Sequence, residues 1–281
     1  MEITRTVENL SFAADSHGAE LHSIKLDGEE YLWQCGSAWK RYAPMLFPFI
    51  CSPNDSKYFA FGRQYFMPSN HGFARDSEFE LVGESETAVE FELCSDEKTR
   101  AVYPYDFSLR VSYEIKDGGI EVKNTVENLG LTAMYFYLGG HPAFMCDINE
   151  GKSYVEYEKD ERITQTIDGR ELVVLDGERW LLLTRERFKN DVIMKDHPNS
   201  RAVTLVKSDG GYVRLEFDDS DCIAVWTALD DEAQFICLEP WTSVPVYADD
   251  EYPNLEDKPH AIKLEAKESY TYKYFIKVGR Q

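Results

Sequence analysis

Apolar and polar residues alternate with a period of two over much of the chain. Phe107, Leu109, Val111, Tyr113 and Ile115 alternate with polar residues, and Ile120, Val122, Asn124 and Val126 resume the pattern after Asp117-Gly118-Gly119. Successive side chains of a strand point to opposite faces, and Asp-Gly-Gly accepts the positive φ of a tight turn, so this stretch predicts a β-hairpin. A second hairpin is predicted where residues 203–207 and 212–217 flank Ser208-Asp209-Gly210-Gly211. Further strands are expected at 88–93, 222–228, 235–238, 261–266 and 270–278, and Glu78-Phe79-Glu80-Leu81 opens another. In residues 21–26, Leu21, Ser23 and Lys25 alternate against His22, Ile24 and Leu26. Helical signals are confined to short turns near 181–188 and 230–234, and the acidic, proline-containing stretch 248–259 reads as a long surface loop. Many strands without strand–helix alternation predict an all-β sandwich or barrel. With no Pro/Gly/Ser-rich linker, internal repeat or low-complexity tract, residues 1–281 are expected to form one domain.

Composition narrows the partners. The 281 residues can bury a sizeable core without disulfides or metals, and 14% are aromatic, which suits strands and pocket walls. With 51 acidic and 30 basic residues the net charge is -21, which repels phosphate backbones and anionic lipid surfaces. Neither nucleic acid nor a membrane is therefore an expected partner, although a local basic pocket can override a global charge. The six cysteines include no C-x-x-C pair. The first residues lack the apolar run of a signal peptide, and no run reaches transmembrane length. A cytoplasmic protein with free thiols, monomeric or homodimeric, is expected.

Four stretches carry candidate chemistry. Asn70-His71-Gly72-Phe73-Ala74-Arg75-Asp76 places a histidine, a cation and a carboxylate in one turn. By itself it also reads as a polar turn closed by an Arg75–Asp76 pair. In Leu138-Gly139-Gly140-His141-Pro142-Ala143-Phe144 the glycines permit close approach, and the proline biases His141 to an extended backbone. The alternative there is a satisfied core histidine. In Cys237-Leu238-Glu239-Pro240-Trp241, Glu239 ends an apolar strand, where lost hydration raises its pKa towards that of a general base; the alternative is a strand-end glutamate pointing into solvent. Trp241 beside it offers a flat apolar face, of the kind that stacks on sugar rings or other apolar ring faces. Asp191, in Phe188-Lys189-Asn190-Asp191, precedes an apolar run and alone would be a turn or cap residue. His17, His22, His197 and His260 sit in polar or turn-like contexts and take no role. The chain has no G-x-S-x-G elbow and no glycine-rich phosphate loop, and the His and carboxylate spacings contain no helical i, i+4 metal pair.

Together these stretches, with Ala43-Pro44-Met45-Leu46-Phe47-Pro48, resemble the aldose 1-epimerase (galactose mutarotase) superfamily, nearest to its LacX-like branch. The motifs run in the family's order across most of the chain. The resemblance implies a β-supersandwich of antiparallel sheets with a sugar site on a concave face. It implies Glu239 as catalytic base and His141 as catalytic acid. It further implies His71 as a substrate-binding histidine assisting at the ring oxygen, and Asp191 as a ligand of sugar hydroxyls. Anomer exchange opens a hemiacetal by removing the C1 hydroxyl proton while protonating the ring oxygen. It needs neither metal nor organic cofactor. Where related sequences continue Phe-Pro-x-x with Gly-Arg, this chain has Cys51-Ser52. Arg75, Arg63 or Arg41 would then supply the missing cation, or the site is altered.

Three functions follow. The first is 1-epimerisation of a free hexose or similar sugar. The second is the same reaction on a hexose 6-phosphate, whose branch shares His-Gly-Phe-Ala-Arg and needs clustered cations, for which Lys40, Arg41, Arg63 and Arg75 are candidates. The third is a catalytically silent carbohydrate-binding protein, which would require neither Glu239 nor His141.

Overall fold

The computed structural model describes residues 1–148, 151–167 and 169–281. The chain is nearly all β, with 52% of residues in strands, as the alternation predicts. The frame is a nine-stranded antiparallel sheet. In spatial order it runs Arg170–Leu182, Tyr154–Ile167, Ala202–Val206, Gly211–Glu216, Ser269–Arg280, Gly119–Asn128, Phe107–Lys116, Ala88–Cys94 and Glu80–Glu84. Both predicted hairpins lie in it. Phe107 pairs with Asn128 and Lys116 with Gly119, closing on Asp117 and Gly118 at φ 49° and 71°. Gly119 is required for a different reason, since a Cβ there would come within 2.4 Å of the Phe275 ring.

Against this frame packs a six-stranded antiparallel sheet of shorter strands. Ile193–Asp196, Cys222–Trp226, Phe235–Trp241, Gly139–Gly140 and Met45–Leu46 follow in order, with Ala143–Met145 also pairing with Phe235–Trp241. The two layers meet through Tyr272, whose hydroxyl donates to the Pro240 carbonyl at 2.6 Å, and through Tyr274. A Cβ on Gly140 would meet the Tyr274 hydroxyl at 2.7 Å, and one on Gly139 would meet Trp241 Cδ1 at 2.7 Å. Neighbouring aromatic rings, rather than a ligand, therefore account for the two glycines before His141. A four-stranded sheet, Glu2–Val7, Leu10–Asp15, Glu20–Leu26 and Glu29–Glu30, covers the frame elsewhere, with the Tyr113 hydroxyl donating to the Ala19 carbonyl at 2.7 Å. One continuous buried cluster runs from Leu10 to Val278.

Several expectations change. Leu21 and Ile24, on opposite faces by simple alternation, are both buried. The register slips there, with Ala13 opposite Ser23 and Ala14 opposite Leu21, so the extra residue His22 forms a bulge that resets the faces. The strand expected to end before Glu239 continues through Trp241, and Glu239 pairs with Ala224. Glu239 is therefore inside a strand buried along its whole length. Only Arg185–Phe188 of the 181–188 stretch is helical, a 3-10 turn, and residues 230–234 form none. The stretch 248–259 is not simply a surface loop. Asp249, Leu255 and Lys258 are buried, and the Asp249 carboxylate accepts hydrogen bonds from Tyr137 and from the His260 backbone.

Candidate active site

A cavity of about 280 Å³ opens where the six-stranded sheet meets the turns before and after it. His71, Arg75, His141, Asp191, Glu239 and Trp241 all line it, so the structure brings these six candidate residues to one place.

His141 enters directly after the short strand Gly139–Gly140. Its backbone N–H donates to the Pro44 carbonyl at 3.0 Å, while Leu238 N–H donates to the Pro142 carbonyl at 3.2 Å. These bonds bring the imidazole beside Glu239. His141 Nε2 lies 3.1 Å from Glu239 Oε2, with both side chains buried. The contact lacks hydrogen-bond alignment, and Glu239 Oε2 has no hydrogen-bond partner among the described residues. Burial pulls the His141 imidazole down to about 3, and the Arg75 cation adds to the effect. Burial pushes the Glu239 carboxyl well above the usual carboxylate range, helped by the nearby Asp191 charge. The Trp241 indole N–H is close enough to favour the ionised carboxyl but completes no aligned hydrogen bond. Burial therefore disfavours the charged form of both groups.

His71 sits in the turn before the 3-10 segment Ala74–Asp76, at φ 63°. Gly72 follows at φ 75°, and a Cβ on it would lie 2.2 Å from the Phe47 carbonyl oxygen, so only glycine fits. The His71 ring stands edge-on to His141 with centroids 5.4 Å apart. Asp191, also left-handed at φ 73°, accepts a hydrogen bond from Trp226 Nε1 at 2.8 Å. Arg75 reaches the wall with Nε buried and unpartnered, 3.9 Å from Asp76. Asp76 is instead taken by Arg41 at 2.5 Å and by the Ser69 hydroxyl at 3.0 Å. Ser52, at the expected arginine position, donates to Asn70 Oδ1 at 3.1 Å. Of the three cations weighed for that role, Arg75 alone lines the cavity, while Arg63 is exposed on the hairpin Lys57–Ala60/Arg63–Phe66.

Trp241 departs from expectation. At 1% exposure its indole has no open face to offer, and the ring packs against Gly139. The partly exposed indoles of the cavity are Trp39 and Trp226. Trp39 stacks on His141 at 5.0 Å, and Trp226 meets the same imidazole edge-on at 5.6 Å. Trp39 lies in a segment without strand or helix, held by the Trp33 indole donating to its carbonyl at 2.9 Å. No local pattern marks it, because its partners lie far away along the chain. The only signal for Trp226 is its position closing an apolar strand.

Four buried polar atoms of the cavity residues lack partners: Arg75 Nε, His141 Nδ1, Glu239 Oε2 and Trp241 Nε1. Buried polar groups are ordinarily satisfied, and half of the exceptions among the described residues belong to the lining of this cavity. His141, Cys237 and Glu239 also place one ligand atom each within 4.8 Å of one another, the only such trio among the described residues. Cys237 adds a soft ligand that the sequence reading did not consider. All six cysteines are free thiols.

The fold agrees with what the whole chain matches. The chain belongs to the aldose 1-epimerase family, whose model matches residues 2–277. It is 33% identical to the chromosomal protein LacX of Lactococcus lactis, over 94% of this chain and 95% of that protein. A crystal structure of a galactose mutarotase related enzyme from Lactobacillus acidophilus superposes with a TM-score of 0.90. It is 26% identical and covers 99% of this chain and 97% of its own. A galactose mutarotase-like protein from Lactobacillus casei gives a TM-score of 0.88 at 26% identity, covering 99% of this chain and all of its own. Family membership supports a sugar epimerase or mutarotase-like role of the isomerase class, with a small sugar as substrate. Among the described residues no helix is long and apolar enough to cross a membrane.

Proposed function

We propose that this protein is an aldose 1-epimerase that interconverts the α and β anomers of a free hexose or a sugar of similar size. The observation that carries the reading is the Glu239–His141 pair, two buried groups 3.1 Å apart on the cavity floor. The reacting oxygens of a cyclic sugar, O1 and the ring oxygen, share one carbon, so an acid and a base that serve both must themselves be adjacent. Glu239 takes the O1 proton, and His141 delivers one to the ring oxygen. The C1–C2 bond rotates, and closure on the other face returns both protons. The resting distribution, with the proton on Glu239 and a neutral His141, is the one left after ring opening. Binding of the cyclic sugar has to move that single proton to His141. An O1 hydroxyl donating to Glu239 and a ring oxygen accepting from His141 both favour the move.

His71 supports the ring-oxygen side, and Asp191, fixed by Trp226, takes sugar hydroxyls. Arg75 is the cation of the wall, and Trp241 backs Glu239. No cofactor enters this scheme. The whole chain acts as one domain in the cytoplasm, in keeping with its free thiols. A hexose 6-phosphate fits less well. The lining offers one guanidinium and no lysine beside two carboxylates, and Arg41 is committed to Asp76.

Polarimetry on freshly dissolved α-glucose, α-galactose and glucose 6-phosphate tests the reading. Acceleration of a free sugar, lost in Glu239→Gln and His141→Asn, is expected. Faster turnover of the phosphate ester would transfer the reading to that substrate. Binding without acceleration across a broad sugar panel would make the protein a silent binder.

A further inference from the structure

Two left-handed residues clasp each other at the cavity wall. Cys51 has φ 60° and His71 φ 63°, in the left-handed region that only a few per cent of non-glycine residues enter, histidine more readily than cysteine. The His71 backbone N–H donates to the Cys51 carbonyl at 3.0 Å, and the Cys51 backbone N–H donates back to His71 Nδ1 at 2.9 Å. Further bonds hold the loop: Phe47 N–H to the His71 carbonyl at 3.2 Å and Ala74 N–H to the Phe47 carbonyl at 3.3 Å. Such strain persists only where the surroundings over-determine it, and it collects at functional positions.

A ring nitrogen that accepts a hydrogen bond carries no proton. We propose that the main chain of Cys51 fixes His71 as the Nε2–H tautomer, making Cys51 a positioning residue and His71 an obligate hydrogen-bond donor to the ligand. This inference rests on the proposed sugar site and specifies what that site accepts. Among the described residues Nε2 has no hydrogen-bond partner, and His71 lines the cavity. The ligand atom opposite it must therefore be an acceptor, such as a ring or ether oxygen, and a donor-only group is rejected there. His71 is also withdrawn from proton transfer in both directions. To act as a base it would need a free lone pair, and its one lone pair is occupied by the Cys51 N–H. To act as an acid it would have to reload from Nδ1, where a second proton would face that same N–H. The cations Arg75 and Arg41 oppose a second proton on the ring, and the two carboxylates that line the same cavity, Glu239 and Asp191, make no hydrogen bond to it among the described residues. The thiol itself takes no part; burial pushes it up to about 12.

The test is ¹⁵N nuclear magnetic resonance of the full-length protein with labelled histidine, His71 being assigned by its loss in His71→Asn. The expected signature is a protonated Nε2 and an unprotonated Nδ1, unchanged from about pH 5 to about pH 8, where an ordinary histidine titrates. A protonated Nδ1, or a titration midpoint near the ordinary value, overturns the proposal. Two variants separate main chain from side chain. Cys51→Gly keeps the N–H and accepts φ 60°, so the signature is expected to persist; its loss would assign the effect to the thiol and sink the idea. Cys51→Val disfavours positive φ and is expected to yield a mixture of tautomers. If that variant does not fold, the wild-type spectrum and Cys51→Gly still decide. None of these readouts needs turnover, so they stand apart from the polarimetric test of the enzyme itself.

Discussion

In the nine-stranded sheet, strand Ser269–Arg280 buries Tyr272, Tyr274, Ile276 and Val278 and exposes Thr271, Lys273 and Lys277. In the six-stranded sheet, strand Phe235–Trp241 buries all of its residues, a glutamate among them. The first strand keeps its charges in water, where a change costs little. The second holds a carboxyl without water, so its state depends on the few groups around it. The frame thus supplies position, and the strand covered on both faces supplies reactivity. The sharpest break of this contrast is to neutralise the covered carboxyl. Glu239→Gln and His141→Asn are each expected to fold, by circular dichroism, and to lose about 10²–10⁴-fold in mutarotation rate. Because the two share one proton, the double variant is expected to lose little more than either alone. Lys273→Gln, on the outer face of the frame, is expected to leave the rate unchanged. A rate that survives in Glu239→Gln would remove the carboxyl from the chemistry.

Backbone at the site is as constrained as its side chains. Gly72 and Gly118 have nearly the same φ, 75° and 71°, but a Cβ at Gly72 meets a carbonyl oxygen at 2.2 Å and one at Gly118 meets nothing within 4 Å. Gly118→Ala is expected to cost about 1–2 kcal/mol, the strain of a left-handed alanine. Gly72→Ala adds a backbone clash and is expected to cost on the order of 3 kcal/mol or more. Denaturant titration of the two variants measures the difference. Equal costs would mean that the His71 turn yields as readily as an open hairpin.

The covered pair also gives stability a pH dependence of its own. His141 falls from 6.5 to about 3, so between those values the unfolded chain binds a proton that the folded chain does not, and stability falls on acidification through that window. Glu239 rises well above 4.5, so above that value the unfolded chain has released a proton that the folded chain keeps, and stability falls as pH rises until Glu239 ionises. Glu239→Gln removes the second loss. Its melting temperature is expected to gain on wild type by a few degrees between about pH 5 and pH 8. A gap that stays constant over that range would show that Glu239 does not keep its proton in the fold.

Where alternation is regular the frame could be read directly, because one face of each strand meets water and the other does not. Strands Gly119–Asn128 and Ser269–Arg280 hold the expected faces at almost every residue. Legibility fails where that asymmetry fails. The extra residue at His22 reverses a face with no compositional sign. The strand past Glu239 is covered on both sides, so it shows no period, and Pro240 reads as a stop. His71, His141, Asp191 and Glu239 could be gathered from the sequence only together, through the order of their motifs, since Asp191 alone reads as a turn or cap residue; all four line one cavity. The open face expected of Trp241 was misplaced because burial is set by a neighbouring strand. Trp39 was invisible because its neighbours, His141, Trp226 and Phe235, lie over 100 residues away in sequence.

Two tryptophans refine the contrast at its smallest scale. Trp180, on the edge strand Arg170–Leu182 of the frame, is 57% exposed, and no ring stacks on it among the described residues. Trp39 is partly exposed too, but its ring covers His141 and packs on Phe235 at 5.5 Å. Aromatic contacts of this kind are worth about 0.5–1.5 kcal/mol beyond the area they bury. Trp39→Ala is therefore expected to weaken kcat/KM by roughly 2- to 12-fold. It also lets water reach His141, which raises the imidazole towards its ordinary value and shifts the acid limb of the pH–rate profile upward. Trp180→Ala is expected to change stability by no more than about 0.5 kcal/mol and to leave that profile where it was. A Trp39→Ala enzyme with reduced kcat/KM but an unmoved acid limb would leave the indole a sugar contact only, with His141 kept neutral by Trp226 and the surrounding sheet.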